Sequence, residues 1–331
     1  MTRCAGAARV TVWSALLLAL GAVLSCTPPE GRRGWECIAP AAAGGGWDLT
    51  CRLTGRVLEA LDLSPGRVRT TNLPGAGGGI AFAHTVGQRS TDPAVLVAAS
   101  PATTLRLAQR QYGPLSPEDV RWVAAVGAEY GIVAVAADSP WKDLGSLLAD
   151  WRDDPTSIVV SGGSSVAGQD HMKMLLLARE AGIPVRSVRY VPFDGGGEAM
   201  TALLGGFVQV FSGEASEVES QLQSGSLRLL AVLAPERLGG ALTGVPTARE
   251  SGFPVEWVTW RGFYVPGGLD EEVYRGWVEI FRRVGASTEW EQARVRARLQ
   301  PFFLAGPEFE TFVADQVSQF RSLARDLGLI E

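Results

Sequence analysis

The sequence predicts an α/β protein with mostly parallel sheets, and three observations lead to that fold class. Short apolar runs alternate with amphipathic segments of helical length from residue 35 to the end of the 331-residue chain. That length is enough for about two domains of roughly 150 residues, each with its own core. Four glycine-rich loops stand between an apolar run and a helical segment, where strand-to-helix turns occur in such folds.

The alternation assigns each element in turn. We predict strands over residues 35–39, 68–71, 95–99, 122–128, 132–136, 158–161, 185–190, 208–211 and 227–233. We predict helices over residues 49–61, 80–86, 144–152, 169–181, 198–204, 216–222, 271–284, 289–299 and 309–327. The last three helices follow one another, whereas the earlier ones alternate with strands, as in βαβ units.

Composition and charge exclude several classes of protein. The chain has 30 Lys and Arg against 35 Asp and Glu, and no stretch concentrates cations on one face, so no nucleic-acid partner is expected. The only two histidines, His84 and His171, are too few for a multi-histidine metal site. The phosphate-loop motif and the complete dinucleotide fingerprint are both missing from the sequence. We therefore expect no cofactor and no metal.

The first residues have the order of an export signal. Arg3 and Arg9 precede an apolar run of about 15 residues, shorter than the roughly 20 that span a bilayer. We predict a signal peptide over residues 1–25 and a location in the periplasm or cell envelope. Cys26 ends a Val-Leu-Ser-Cys segment that resembles a bacterial lipoprotein box. Lipidation of Cys26, which would be the only membrane attachment, and ordinary cleavage nearby are both open.

The predicted export would place Cys37 and Cys51 in an oxidising compartment, where disulfides form. Cys37 lies on the first predicted strand and Cys51 early in the following helix, with three consecutive glycines between them. A bridge between them would close a loop of about 15 residues and stiffen the glycine segment. Two buried free thiols are the alternative.

The four glycine-rich loops hold 13 of the chain's 40 glycines. We name them loop 1 (39–48), loop 2 (72–80), loop 3 (161–171) and loop 4 (191–198). The first turn of a helix has unpaired N–H groups and a partial positive charge, and glycine lets a ligand approach without a Cβ in the way. Each unit therefore suits an anion. If two loops come from each of two domains, they would face each other across a cleft fit for several carboxylates.

Catalytic interpretations find little support. The segment 163–167 misses the nucleophile elbow, because Ala167 stands where the motif has glycine. A Ser-His-acid hydrolase would have to use His84, on an apolar-patterned helix, or His171, only six residues from Ser165. We expect a protein that is not an enzyme, with His171 either lining the cleft or structural.

Six segments, in order, resemble one family of proteins. They are residues 36–52, 72–78, 162–171, 190–206, 228–237 and 260–262. The chain is similar over residues 35–329 to the substrate-binding proteins of tripartite tricarboxylate transporters, within the wider Bug family of periplasmic receptors. The resemblance implies a two-domain type II periplasmic-binding-protein fold, with a Venus-flytrap cleft and crossover strands near 132–136 and 258–265. We expect lobe 1 over residues 35–133 and 258–331, and lobe 2 over residues 134–257.

The resemblance also implies a function. It implies capture of a small, citrate-like di- or tricarboxylate and its delivery to a membrane permease with a large and a small subunit, by a receptor that is monomeric. A co-receptor that presents a carboxylate to a membrane signalling kinase would use the same pocket and is the alternative.

Ligand contacts are implied in both lobes. In lobe 1 they are Gly45, Gly46, Trp47, Asp48, Thr50, Gly75, Ala76, Gly77 and Ser100. In lobe 2 they are Ser164, Ser165, His171, Phe193, Asp194 and Gly195. Arg261, on a crossover strand, would bind a further carboxylate through two parallel hydrogen bonds or would pair with a core acid. Asp48 would cap the first helix or contact ligand, and Trp47 would form the pocket wall or pack within its lobe.

Two segments depart from the family pattern. Residues 165–167 read Ser-Val-Ala in place of the more usual Ala-Pro-Gly, and residues 102–104 replace bulkier side chains. Both changes are expected to reshape the far side of the pocket.

Overall fold

A computed structural model describes residues 34–193 and 195–330, so the predicted signal peptide, Cys26 and Asp194 lie outside the described residues. The strands are β1 (Glu36–Ala39), β2 (Arg69–Asn72), β3 (Val95–Ala99), β4 (Val120–Ala136), β5 (Val159–Gly162), β6 (Arg189–Pro192), β7 (Val210–Glu214), β8 (Leu227–Val232), β9 (Val258–Pro266) and β10 (Leu304–Ala305). The helices are α1 (Gly46–Ala60), α2 (Gly79–Gln88), α3 (Pro101–Ala108), α4 (Leu144–Asp153), α5 (Gln169–Glu180), α6 (Gly196–Leu204), α7 (Glu219–Ser224), α8 (Glu271–Gly285), α9 (Thr288–Arg296) and α10 (Pro307–Asp326). No helix in these two stretches is both long and apolar enough to cross a bilayer.

The strands form one sheet in the order β2-β1-β3-β9-β4-β7-β5-β6, with β8 and β10 also paired to β4. Strand β1 runs parallel to β2 and β3, and β5 runs parallel to β6 and β7. Strands β4 and β9 pair with each other and with their other neighbours in antiparallel fashion. Parallel pairing is thus confined to the two outer halves, and β4 and β9 are the crossover strands between them.

Strand β4 is continuous, whereas the sequence predicted a break between residues 128 and 132. Glu129 and Gly131 interrupt the apolar pattern at that point. In the structure the Glu129 carboxylate lies 2.5 Å from Arg261 on β9, so the acid is paired while it is buried. A Cβ on Gly131 would lie 2.9 Å from the side chain of Lys173, so the glycine makes room for α5. Tertiary contacts therefore extend the strand through a polar stretch.

Helix α3 was not predicted, although a start signal stands in the sequence. The Ser100 side chain accepts a hydrogen bond from the Ala102 N–H at 3.3 Å, and Pro101 occupies the first turn. Thr103 and Thr104 lower the helical propensity of the segment. Thr104 is fully buried and donates a hydrogen bond to Gln316 of α10 at 2.7 Å, so packing against α10 overrides propensity.

Cys37 and Cys51 form a disulfide in the structure, with their Cα atoms 5.6 Å apart. Both residues are almost completely buried. The bridge joins β1 to α1, and glycine loop 1 lies between these two elements. It therefore tethers both sides of that loop to the sheet.

Candidate functional site

All four glycine loops meet at one cleft of about 890 Å³, which we call the glycine-loop cleft. Its lining residues are Ala42 from loop 1, Gly77 from loop 2, Gly163 and Ser165 from loop 3, and Pro192, Phe193 and Glu198 from loop 4. The loops follow the carboxyl ends of β1, β2, β5 and β6. Ligands bind at this edge in open α/β sheets. Sequence reasoning predicted the loops, and the fold brings them together.

Helix α6 begins at this cleft without a side-chain cap, and Glu198 in its first turn lines the cleft. Gly195 precedes the helix and has no side chain that could accept from the first-turn N–H groups. Those N–H groups, together with the positive end of the helix dipole, favour an anion. Gly195 has a φ of 147°, a conformation that side chains rarely adopt.

Arg106 of α3 reaches from loop 2 to loop 3. Its Nη2 donates to the Ser165 Oγ at 2.6 Å, and its Nε would lie 3.1 Å from a Cβ on Gly77. Nearby, Gln109 Nε2 donates to the Ala167 carbonyl at 2.9 Å. Arg106 thus brings a guanidinium to the cleft between two glycine loops. Sequence reasoning missed it because α3 was missed; the Ser-Pro helix start at 100–101 is the signal that could have found it.

Trp47 and Ser100 support loop 2. The Trp47 indole N–H donates to the Ser100 Oγ at 3.1 Å, and the ring edge lies 3.3 Å from where a Cβ on Gly78 would be. Tyr112 donates to the Gly77 carbonyl at 2.7 Å. Ala76, between Gly75 and Gly77, has a φ of 50°, so this part of the loop turns through left-handed conformations. The Trp47 indole and the Tyr112 hydroxyl hold that turn in place.

Asp48 holds loop 1 in shape. Its Oδ2 accepts from Arg52 at 2.9 Å and from the Gly44 N–H at 2.8 Å, and its Oδ1 accepts from Asn72 at 2.9 Å. The hydrogen bond from Arg52, with those from Gly44 and Asn72, lowers the pKa of Asp48 to about 2. The carboxylate is 2% exposed, and both of its oxygens are used within the protein.

Ser164 and His171 stabilise loop 3 by accepting hydrogen bonds from its backbone N–H groups. The Ser164 Oγ accepts from the Asp170 N–H at 3.0 Å, and the His171 Nδ1 accepts from the Ala167 N–H at 3.0 Å. The His171 ring stacks on Tyr190 with centroids 4.6 Å apart. Ala167 has a φ of 60°, a conformation that glycine adopts more readily. His171 is therefore a neutral imidazole whose Nδ1 is occupied by the loop.

Stability should fall in acid because of His171. Burial lowers its pKa to about 4 from an ordinary value of 6.5, so between these values the unfolded chain binds more protons than the folded one. The share of the free energy of unfolding that comes from neutral His171 is intact above pH 6.5. It is lost as the pH falls towards 4, by at most about 1.4 kcal/mol per pH unit. Urea unfolding should therefore depend less on pH in His171→Asn than in the wild type between pH 6.5 and 4.5; equal dependence would contradict this role.

Gly163 should not tolerate a side chain. A Cβ there would lie 2.4 Å from the Gly196 nitrogen and 2.5 Å from the Gly195 carbonyl carbon, so Gly163→Ala pushes loops 3 and 4 apart. We expect the free energy of unfolding to fall by about 1–3 kcal/mol. The control is Gly197→Ala, since a Cβ on Gly197 meets nothing within 4 Å and removing a helical glycine should stabilise by up to about 1 kcal/mol. Equal urea midpoints for the two variants would refute the prediction.

Gly46, Thr50 and Arg261 line a different cavity of about 700 Å³. The Thr50 hydroxyl donates to the Gly46 carbonyl at 2.8 Å. Arg261 is paired with Glu129, which also accepts a hydrogen bond from Ser216. Burial would raise the pKa of Glu129, but Arg261 and Ser216 bring it below its ordinary value. Arg261 thus pairs with a core acid, which was one of the two roles that the sequence left open for it.

The sequence matches, over residues 66–329, the family model described as tripartite tricarboxylate transporter family receptor. It is 25% identical over 300 residues to the protein BugT of Bordetella pertussis, covering 88% of this chain and 89% of BugT. It is 24% identical over 290 residues to the UPF0065 protein in the gbd 5' region of Cupriavidus necator, covering 87% and 85% of the two chains.

Several solved structures have a similar fold. A TctC solute-binding protein from Polaromonas has a TM-score of 0.74 at 22% identity, covering 88% of this chain and 98% of that one. MatC of Rhodopseudomonas palustris with bound malate has a TM-score of 0.69 at 22% identity, covering 87% and 98%. An R. palustris protein with adipate has a TM-score of 0.73 at 19% identity, covering 89% and 97%. These likenesses confirm the predicted α/β periplasmic-binding-protein fold.

Proposed function

This chain belongs to the tripartite tricarboxylate transporter receptor family of periplasmic solute-binding proteins, and from that premise we propose that it captures a small di- or tricarboxylate in the glycine-loop cleft. The observation that carries the proposal is that all four glycine loops line that one cleft. Arg106 donates to Ser165 on its wall, and the uncapped start of α6 lies beside it. The cleft therefore combines a guanidinium with a group of helix-start N–H donors.

A dicarboxylate fits this site better than a citrate-like ligand. The helix-start N–H groups would bind one carboxylate and Arg106 the other, while Glu198 on the wall disfavours a third negative charge. Two of the similar solved structures hold malate and adipate, and both of these acids have two carboxylates. That parallel supports the ligand class without identifying the ligand.

The proposal includes a closing motion. We place lobe 1 at residues 35–133 and 258–331 and lobe 2 at residues 134–257, with β4 and β9 as the hinge. The bonds from Arg106 to Ser165 and from Gln109 to Ala167 cross between these lobes, and Arg298 pairs with Glu219 across them elsewhere. A ligand between the glycine loops would strengthen such contacts and favour the closed state.

We further propose that the protein acts in the periplasm as a monomer that delivers its ligand to a two-component membrane permease. This step rests on family membership and on the predicted export signal.

A thermal-shift screen of organic acids tests the proposal. A ligand at 100 times its dissociation constant adds about 2.7 kcal/mol of stability, which gives a clear rise in melting temperature. We expect at least one dicarboxylate, with malate and adipate in the panel, to raise the melting temperature more than acetate does. A panel of mono-, di- and tricarboxylates without any stabilising acid would overturn the proposal.

A further inference from the structure

A second cavity, which we call the α1–α9 groove, shares no lining residue with the glycine-loop cleft and has a volume of about 700 Å³. Its walls are mainly apolar, formed by Leu49, Leu53, Val57, Ala293, Ala297 and Leu299. Leu49 is 58% exposed although it is a large apolar side chain. The volume lies within the range of small-molecule sites, and such sites combine apolar walls with a few polar groups.

The groove is elongated. Its lining residues on α1 run from Gly46 to Ala60, which corresponds to about 21 Å along the helix axis. Its charged lining residues are three cations, Arg56, Arg261 and Arg296, and two acids, Glu129 and Glu289. The other lining residues are mostly apolar, so the shape suits a chain-like apolar group.

Arg261 provides the polar group at the Gly46 end. Its side chain is 17% exposed, and among the described residues its guanidinium has one hydrogen-bond acceptor, the Glu129 Oε1 at 2.5 Å. A guanidinium has five N–H donors, so most of them have no acceptor within the described part of the chain. Glu129, which also lines the groove and accepts from Ser216, balances the Arg261 charge. What remains at this end of the groove is a set of guanidinium N–H groups that can still donate to an oxygen acceptor.

The start of α1 lies beside these N–H groups. A Cβ on Gly46 would lie 2.7 Å from the Arg261 Nη1, so the absence of a side chain lets the guanidinium pack against the first residue of the helix. The first-turn N–H groups of α1 and the Arg261 N–H groups without an acceptor could both donate to a carboxylate placed beside them. The end of the groove is thus complementary to a carboxylate, and its walls are complementary to a hydrocarbon chain.

We propose that the α1–α9 groove binds a linear medium-chain monocarboxylate, with its carboxylate on Arg261 and its alkyl chain between α1 and α9. A short dicarboxylate does not suit this groove, because its second charge would lie among Leu49, Leu53 and Val57. The site is separate from the glycine-loop cleft and does not depend on the function proposed for that cleft.

Titration calorimetry of the full chain with hexanoate, octanoate and decanoate, below their micelle concentrations, tests the proposal. Since each buried methylene contributes about 0.8 kcal/mol, affinity should rise up to about fourfold per added methylene, with one site per chain. Leu49→Glu should weaken decanoate at least tenfold, because it places a negative charge on the apolar wall. The matched control is Val295→Glu on α9, which is 57% exposed and lines another groove, and it should leave affinity unchanged.

The carboxylate contact is tested in a double variant. Arg261→Gln alone leaves Glu129 buried without its cation, so it is combined with Glu129→Gln to keep the fold. We expect at least a tenfold weaker decanoate complex. Affinity independent of chain length, equal losses in Leu49→Glu and Val295→Glu, or competitive displacement of decanoate by malate would each overturn the proposal. If malate or adipate binds while decanoate does not, only this second site fails, since the cleft depends on Arg106 and not on Leu49.

Discussion

Lys173→Met should lower the free energy of unfolding by about 3–5 kcal/mol, the effect of removing one partner from a buried ion pair. Lys173 is fully buried on α5, and its Nζ donates to the Asp170 Oδ1 at 2.9 Å, the Glu214 Oε1 at 2.7 Å and the Gly213 carbonyl at 2.9 Å. Burial alone would lower the pKa of Lys173, but the two carboxylates more than reverse this, and its pKa lies above the ordinary value. The substitution therefore leaves two acids in the interior without their cation.

The same lysine links the glycine-loop cleft to the crossover strands. Asp170 lies in loop 3 and in the first turn of α5, and the Glu214 Oε1 also accepts from Thr259 on β9 at 2.8 Å. The stem of Lys173 packs over Gly131 on β4. Lys173 is thus a positioning residue, because it ties loop 3 to both β4 and β9.

The control is Lys142→Met, which changes the only other lysine of the chain. Lys142 is exposed, and its Nζ lies 3.2 Å from the Ser139 carbonyl, so we expect a change below about 0.5 kcal/mol. Urea unfolding at pH 7.5 compares the two variants, and similar losses would contradict the burial argument. The stability loss in Lys173→Met should shrink at pH 4.5, because burial raises the pKa of Glu214 and its protonation removes an unpaired buried charge.

Arg106→Ala should weaken a bound dicarboxylate by about 10–100-fold, since a hydrogen bond to a charged group contributes about 1.5–3 kcal/mol. Arg106 is half-buried at the rim of the glycine-loop cleft, and its one contact across the cleft is with Ser165. The fold should tolerate the change with little loss of stability. Arg106→Lys should lie between the alanine variant and the wild type, because lysine keeps the charge but not the planar pair of donors.

Arg110→Ala is the matched control for this prediction. Arg110 lies just after α3, is exposed, and its side chain has no hydrogen bond or ion pair with the residues that the structure describes. Its replacement should leave affinity within about twofold of the wild type, a change below about 0.5 kcal/mol. Calorimetric titration with malate and adipate measures both variants. Equal affinities in Arg106→Ala and Arg110→Ala would remove Arg106 from the site.

The glycine loops were predictable from sequence because their chemistry is local. A glycine run between an apolar strand and a helix predicts a turn and an N–H-lined helix start without knowledge of the rest of the fold. The alternation of strands and helices predicted the fold class for the same reason. Strand β4 could not be predicted as one element, because its continuity at Gly131 depends on Lys173 from a distant helix.

Arg106, Lys173 and Arg261 were harder to predict because their roles depend on tertiary contacts. Pattern reasoning treats a lysine on a helix as solvated, yet Lys173 is fully buried between two acids that come from different elements. Arg261 was expected either to bind ligand or to pair with an acid, and only the pairing of β9 with β4 brings Glu129 next to it. The role of Arg106 was not predicted because helix α3 was not predicted, since Thr103 and Thr104 lower the helical propensity of that segment.

Hydrogen–deuterium exchange with malate or adipate, whichever gives the larger thermal shift, tests most directly whether the four loops form one carboxylate site. We predict slower exchange on ligand binding in all four segments, 39–48, 72–80, 161–171 and 191–198, and little of that protection in Arg106→Ala. Protection confined to α1 and α9, or to one loop alone, would contradict a ligand held between the four glycine loops.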